Sequence, residues 1–143
     1  MGEPTDVKST ITNLNRALPL QARDAVAIGI AAGALPGPAG VALQPALRAI
    51  ATEEMRDLER LAGRIAALGG TPDAGTRDAG LPKTWQAALK RLVAMEEETL
   101  ELLVDAIPAD ADDVEGEATE HLLEHVVSRK RDVVELLERA LRG

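Results

Sequence analysis

Cysteine, phenylalanine and tyrosine are absent from this chain of 143 residues, and tryptophan occurs once. The lack of cysteine excludes a disulfide framework, a thiolate metal site and a cysteine nucleophile. The near-absence of aromatics, in a chain rich in Leu, Ala, Val, Glu and Arg, favours helices over strands. Positive charge is also scarce. Sixteen Lys and Arg face 24 Asp and Glu, and the net charge of −8 argues against binding a nucleic-acid backbone. The only basic run, Arg129-Lys130-Arg131, is followed at once by Asp132. Long apolar runs are missing as well: the stretch from Ala25 to Leu35 is too short and too rich in Gly and Ala to span a bilayer. The segment Met1 to Lys8 is polar and has no apolar core of the signal-peptide kind. These absences lead to the expectation of a soluble cytoplasmic protein, with residues 1–143 forming one domain.

What is present is helical periodicity. A first helix is expected from about Asp6 to Ala34, broken by Leu35-Pro36-Gly37-Pro38. Pro19 leaves two readings of it, a kink or a late start near Leu18. A second is expected from about Ala39 to the stop signal Gly69-Gly70, with Pro45 as a candidate first turn. The stretch from Gly69 to Gly80 reads as loop. A third helix runs from about Pro82 to Ile107, where Pro108 stops it, and an acidic linker from Ala109 to Glu115 leads to a fourth that ends near Leu141. The connection between the second and third helices, about a dozen residues, spans roughly 40 Å when extended. That is enough to run along a 20-residue helix of about 30 Å. The spacing predicts an all-α four-helix bundle with one long crossover between its second and third helices, a topology similar to that of ferritin-like folds.

Each segment carries a polar residue in the middle of its apolar stripe. Gln21 is bracketed by Leu14, Leu18, Ala25 and Ile28, and Glu54 by Leu47, Ile50, Ala51, Leu58, Leu61 and Ile65. Glu96 lies among Leu89, Leu92, Leu100 and Leu103, and Lys130 among Val126, Val127, Val133 and Leu137. Unpaired charges are costly to bury, so these groups must meet one another or a ligand.

Further residues carry a family resemblance. Glu53 to Arg60, running on to Ala67-Leu68-Gly69-Gly70-Thr71-Pro72-Asp73, resembles the second helix of the bacterioferritins and its exit. Val93-Ala94-Met95-Glu96 is similar to their third helix, and Thr119 to Leu141 to their fourth. The likeness extends over nearly the whole chain. It includes no counterpart of the family's short fifth helix, so the family's large cage is not expected with it. In that family a di-iron centre takes a Glu from the first helix, Glu-x-x-His from the second, a Glu from the third and Glu-x-x-His from the fourth. The matching positions here are Gln21, Glu54 with Asp57, Glu96, and Lys130 with Val133. The resemblance therefore implies a degenerate centre in which a cation replaces a bridging carboxylate, and no di-iron cofactor is expected.

Three uses of that remnant stand side by side. Lys130 can replace the metal by bonding Glu54 and Glu96, with Gln21 completing the hydrogen bonds. It can act as an acid, base or nucleophile in a remodelled pocket. Or one metal ion can sit on Glu54, Asp57 and Glu96.

The resemblance also implies a haem. In bacterioferritins the Met after the second-helix Glu ligates haem across a two-fold axis, one Met from each subunit, and Met55 holds that position. Arg56 follows it, placed to meet a propionate. Ala22, Ala25, Val26 and Gly29 would form a low wall of small residues, with room for a small molecule beside the macrocycle. The expectation is a homodimer that binds haem at its interface through Met55, for electron transfer or a haem-dependent reaction. The alternatives are a cofactor-free interaction module, with Met55 filling an interface gap, and an enzyme using the bundle centre. His121 and His125, one turn apart, fall away from the apolar stripe and read as solvated, as do Glu97 and Glu98. Trp85 reads as a core anchor.

Overall fold

The computed structural model describes residues 6–73, 75, 78–109 and 113–143. Most of the polar N-terminal segment and the middle of the acidic linker lie outside them. Among the described residues there are four helices and no strand: α1 (Val7–Ala34), α2 (Gly37–Ala67), α3 (Trp85–Ala106) and α4 (Val114–Arg142). None is long and apolar enough to cross a membrane.

The helix ends follow local chemistry. Asp6 caps α1, its side chain accepting from Ser9 N at 3.2 Å. Pro19 neither divides α1 nor delays its start, because the buried face running from Leu14 and Leu18 to Ala25 and Ile28 stays in phase across it. Only Leu35 and Pro36 separate α1 from α2. The second helix opens at Gly37, with Pro38 in its first turn, and Pro45 sits inside it. The tight reversal depends on Gly40, where a Cβ would lie 2.3 Å from the Leu35 carbonyl oxygen. At the other end Gly69 takes φ +89° and Gly70 N donates to Ile65 O at 2.9 Å, so α2 stops at Ala67, slightly before the glycines.

Helix α3 begins at Trp85 and not at Pro82, because Thr84 supplies the cap, accepting from Ala87 N at 3.3 Å. Asp113 caps α4 through Gly116 N at 3.0 Å. Glu115 and Glu117 in the first turn and Arg139 and Arg142 in the last complement the helix dipole. The crossover between α2 and α3 is held to α1 by Asn15, which donates to Thr71 O at 3.0 Å and accepts from Asp73 N at 2.9 Å.

Helix α1 packs against α2 and α3, and α3 against α4, while α2 and α4 approach each other at few points. The core is divided in two. One cluster contains Leu14, Leu18, Leu61, Ile65, Leu103, Leu123 and Val126. The other contains Ile28, Leu47, Leu89, Leu92, Met95 and Leu137, with Trp85 packed at its edge. In every helix the inward polar residue falls between these clusters, so a charged layer separates two hydrocarbon layers.

Candidate functional site at the bundle centre

Lys130 is the hub of that layer and is 1% exposed. Its ammonium donates to Glu54 Oε2 at 2.7 Å, Asp24 Oδ2 at 3.1 Å and Glu96 Oε2 at 3.1 Å. One carboxylate is thus offered to each of its N–H donors. Gln21 Nε2 donates to Glu54 Oε2 at 3.1 Å and to the Glu54 carbonyl at 2.9 Å, tying α1 to α2. Asp24 is also held by the Thr99 hydroxyl and by Arg23, whose Nε and Nη2 each lie 3.1 Å from Oδ1. Arg23 continues to Met95 O at 3.0 Å and Glu98 at 2.6 Å.

Burial is the largest influence on these groups. It pushes the Glu96 carboxyl well above its ordinary range, against the pull of Lys130, and neighbouring Glu54 pushes the same way. Asp24 is raised too, again chiefly by burial. Burial alone would lower Lys130, but Glu96, Glu54 and Asp24 outweigh it and hold its ammonium above the usual lysine range. The lysine is the fixed charge of the cluster, and Glu96 is the member readiest to keep a proton.

Gln21, Glu54, Glu96 and Lys130 meet as their shared stripe position requires. Asp24 joins them unforeseen, although it stands three residues after Gln21 on the same face of α1. Asp57 does not join. It is buried but turned toward Arg129, which grips it in a fork at 3.0 and 2.6 Å, and toward Arg60 at 2.7 Å. Asp24, Glu54 and Glu96 are therefore the three carboxylates that converge, each with an oxygen within 4.8 Å of the others'. The set Glu54, Asp57 and Glu96 does not converge as a metal site would need.

On the outer face, Met55 is 43% exposed and Val26 49%, and Arg56 and Gly29 are exposed as well. Ala22 is half-buried, whereas Ala25 turns into the bundle and is buried. A Cβ on Gly29 would lie 3.9 Å from that of Ala51, one turn before Met55, which places the glycine and the methionine on one α1/α2 surface. Arg56 pairs loosely with Glu53 at 3.4 Å. His121 and His125 are exposed, with ring centroids 4.5 Å apart in an edge-on arrangement.

The ferritin-like domain family matches residues 34–142. Among solved structures, a ferritin-like diiron-carboxylate protein from Bacillus anthracis superposes with a TM-score of 0.86 at 22% identity, covering 97% of this chain and 99% of that one. A dodecameric thioferritin, the bacterioferritin-related protein of Bacteroides fragilis, gives 0.84 at 21% identity over 96% and 87%. The Mycobacterium tuberculosis bacterioferritin BfrA gives 0.82 at 22% identity over 99% and 87%. No curated protein sequence matches the chain.

Proposed function

Because the chain belongs to the ferritin-like domain family, we propose that it works as a bacterioferritin-like homodimer that binds haem through Met55, with the bundle centre locked by an internal ion cluster. The observation that carries this reading is the exposure of Met55 on the α1/α2 face, one residue after the buried Glu54. A thioether is a soft axial ligand, and large apolar side chains left exposed, Met55 on α2 and Val26 and Ile30 (48%) on α1, suit surfaces that a partner covers. The glycine and small residues beside it give a flat macrocycle room to lie. Bound haem would supply one-electron chemistry, and Arg56 would pair with its carboxylates.

The bundle centre does not fit a di-iron pair. Two ferrous ions call for roughly four protein negative charges and ligands at metal distance. Here three carboxylates share one ammonium, no histidine faces them, and Lys130 occupies the point to which their oxygens converge. Ferroxidase activity is therefore no part of the proposal. Electron transfer, or a haem-dependent reaction on a small molecule beside the wall of small residues, is. Cytoplasmic location belongs to the same proposal.

Haem titration with sizing of the complex tests it. The expected result is a sharp Soret band saturating at one haem per two chains. Failure to bind haem would leave the alternative, a cofactor-free module whose central cluster is structural, a reading favoured by the pairing of Lys130 with three carboxylates.

A further inference from the structure

The two histidines of the chain stand one turn apart on α4, and neither the ion cluster nor the Met55 surface involves them. Both are exposed, and their rings lie 4.5 Å apart, edge on. Side chains four residues apart on a helix are neighbours on one face. His121 and His125 are thus close enough, with rotation about their exposed side-chain bonds, to hold one metal ion between two ring nitrogens at about 2.0–2.1 Å.

The charge around them points the same way. Glu117, Glu120 and Glu124 line an open concavity of about 340 Å³ together with His121. The Glu120 carboxyl is raised above its ordinary range, chiefly by a hydrogen bond with Glu124, and the charges of Glu124 and Glu117 add to it. These carboxylates crowd one another. Among the described residues none of the three forms an ion pair with Lys or Arg. Arg129, one turn beyond His125, is drawn away to Asp57 on α2. The face therefore joins two imidazole donors to a negative field that no side-chain cation offsets. The imidazoles decide which cation suits it: zinc, nickel and copper ions accept nitrogen ligands, whereas magnesium and calcium ions demand oxygen.

We propose that His121 and His125 form a surface chelate for a divalent transition-metal ion of the zinc, nickel and copper group. Both imidazoles bond the ion, and the carboxylates of Glu117, Glu120 and Glu124 offset its charge.

The probe is zinc chloride, titrated into the untagged full chain and followed by calorimetry and by NMR of the histidine rings. One saturable site per chain is expected, with the resonances of both rings moving together. Changing even an outer partner of a metal ligand typically costs about 10–100-fold in affinity. His121→Ala and His125→Ala should accordingly each weaken binding at least about tenfold. Both residues are exposed, so neither change opens the core. Magnesium chloride should bind at least about tenfold more weakly than zinc. Zinc should also raise the melting temperature of the wild type and not that of the double variant, because the unfolded chain does not hold the rings one turn apart. Undiminished affinity in either single variant, shifts confined to one ring, or equal binding of magnesium would overturn the site.

Discussion

Lys130 and Glu54 face each other across the α2–α4 gap at 2.7 Å, with side-chain exposures of 2% and 4%. Neither could be buried alone at tolerable cost, and each depends on the other and on Asp24, Glu96 and Gln21 to remain inside. Lys130→Ala should therefore lower stability by about 3–5 kcal/mol, a fall in melting temperature of ~10 °C or more. Lys130→Met, which keeps most of the volume, separates lost charge from lost packing. A thermal scan showing either variant close to wild type would mean that the carboxylates find water or protons instead.

Glu96 gives the cluster a pH dependence of definite sign. Its folded carboxyl titrates well above the ordinary 4.5, so between those values the folded chain holds a proton that the unfolded chain has released. Stability from this group is present at acid pH and is lost as pH rises through that window. Asp24, raised in the same direction, adds to the trend, and Lys130 stays charged throughout it. Glu96→Gln should flatten the decline and raise the melting temperature at neutral pH. The check is a set of melting curves from pH 5 to 8 for both proteins. A wild-type curve that rises over this range, with no difference in the variant, would contradict the assignment.

Iron chemistry should be missing at the bundle centre. With an ammonium among three carboxylates, aerobic addition of Fe(II) is expected to show no protein-dependent acceleration of oxidation. Stopped-flow absorbance with a buffer control measures this directly, and saturable oxidation at two irons per chain would refute it.

Much of this arrangement could be read from the sequence because a polar residue in mid-stripe leaves little freedom: Gln21, Glu54, Glu96 and Lys130 had to meet. The fold was legible for a related reason, since apolar periodicity survives Pro19 and Pro45 and the glycines mark the reversals. Helix starts were displaced where capping decides, as at Thr84 and Gly37. Asp24 went unseen because its neighbours Gln21 and Ala25 already accounted for the face. Asp57 was misplaced for a tertiary reason. Three residues after Glu54, it can face the centre or the α2–α4 rim, and the choice is made by Arg129, contributed by another helix 72 residues away.

Met55 carries the functional proposal, and its substitution separates ligation from packing. An exposed methionine on a helix surface adds little to the fold, so Met55→Ala should leave helicity unchanged and stability within about 0.5 kcal/mol of wild type. The haem complex should respond strongly. Met55→Ala removes the thioether and should weaken binding and broaden the Soret band. Met55→His supplies a different axial donor and should keep binding while shifting the spectrum. Arg56→Ala, which leaves the iron ligand in place, should reduce affinity without altering the band position, because a propionate partner is lost and the coordination is not. Absorption spectra and haem titrations of the three variants against wild type make the comparison. A spectrum indifferent to residue 55 would remove haem ligation by Met55 and leave the α1/α2 surface as a protein contact.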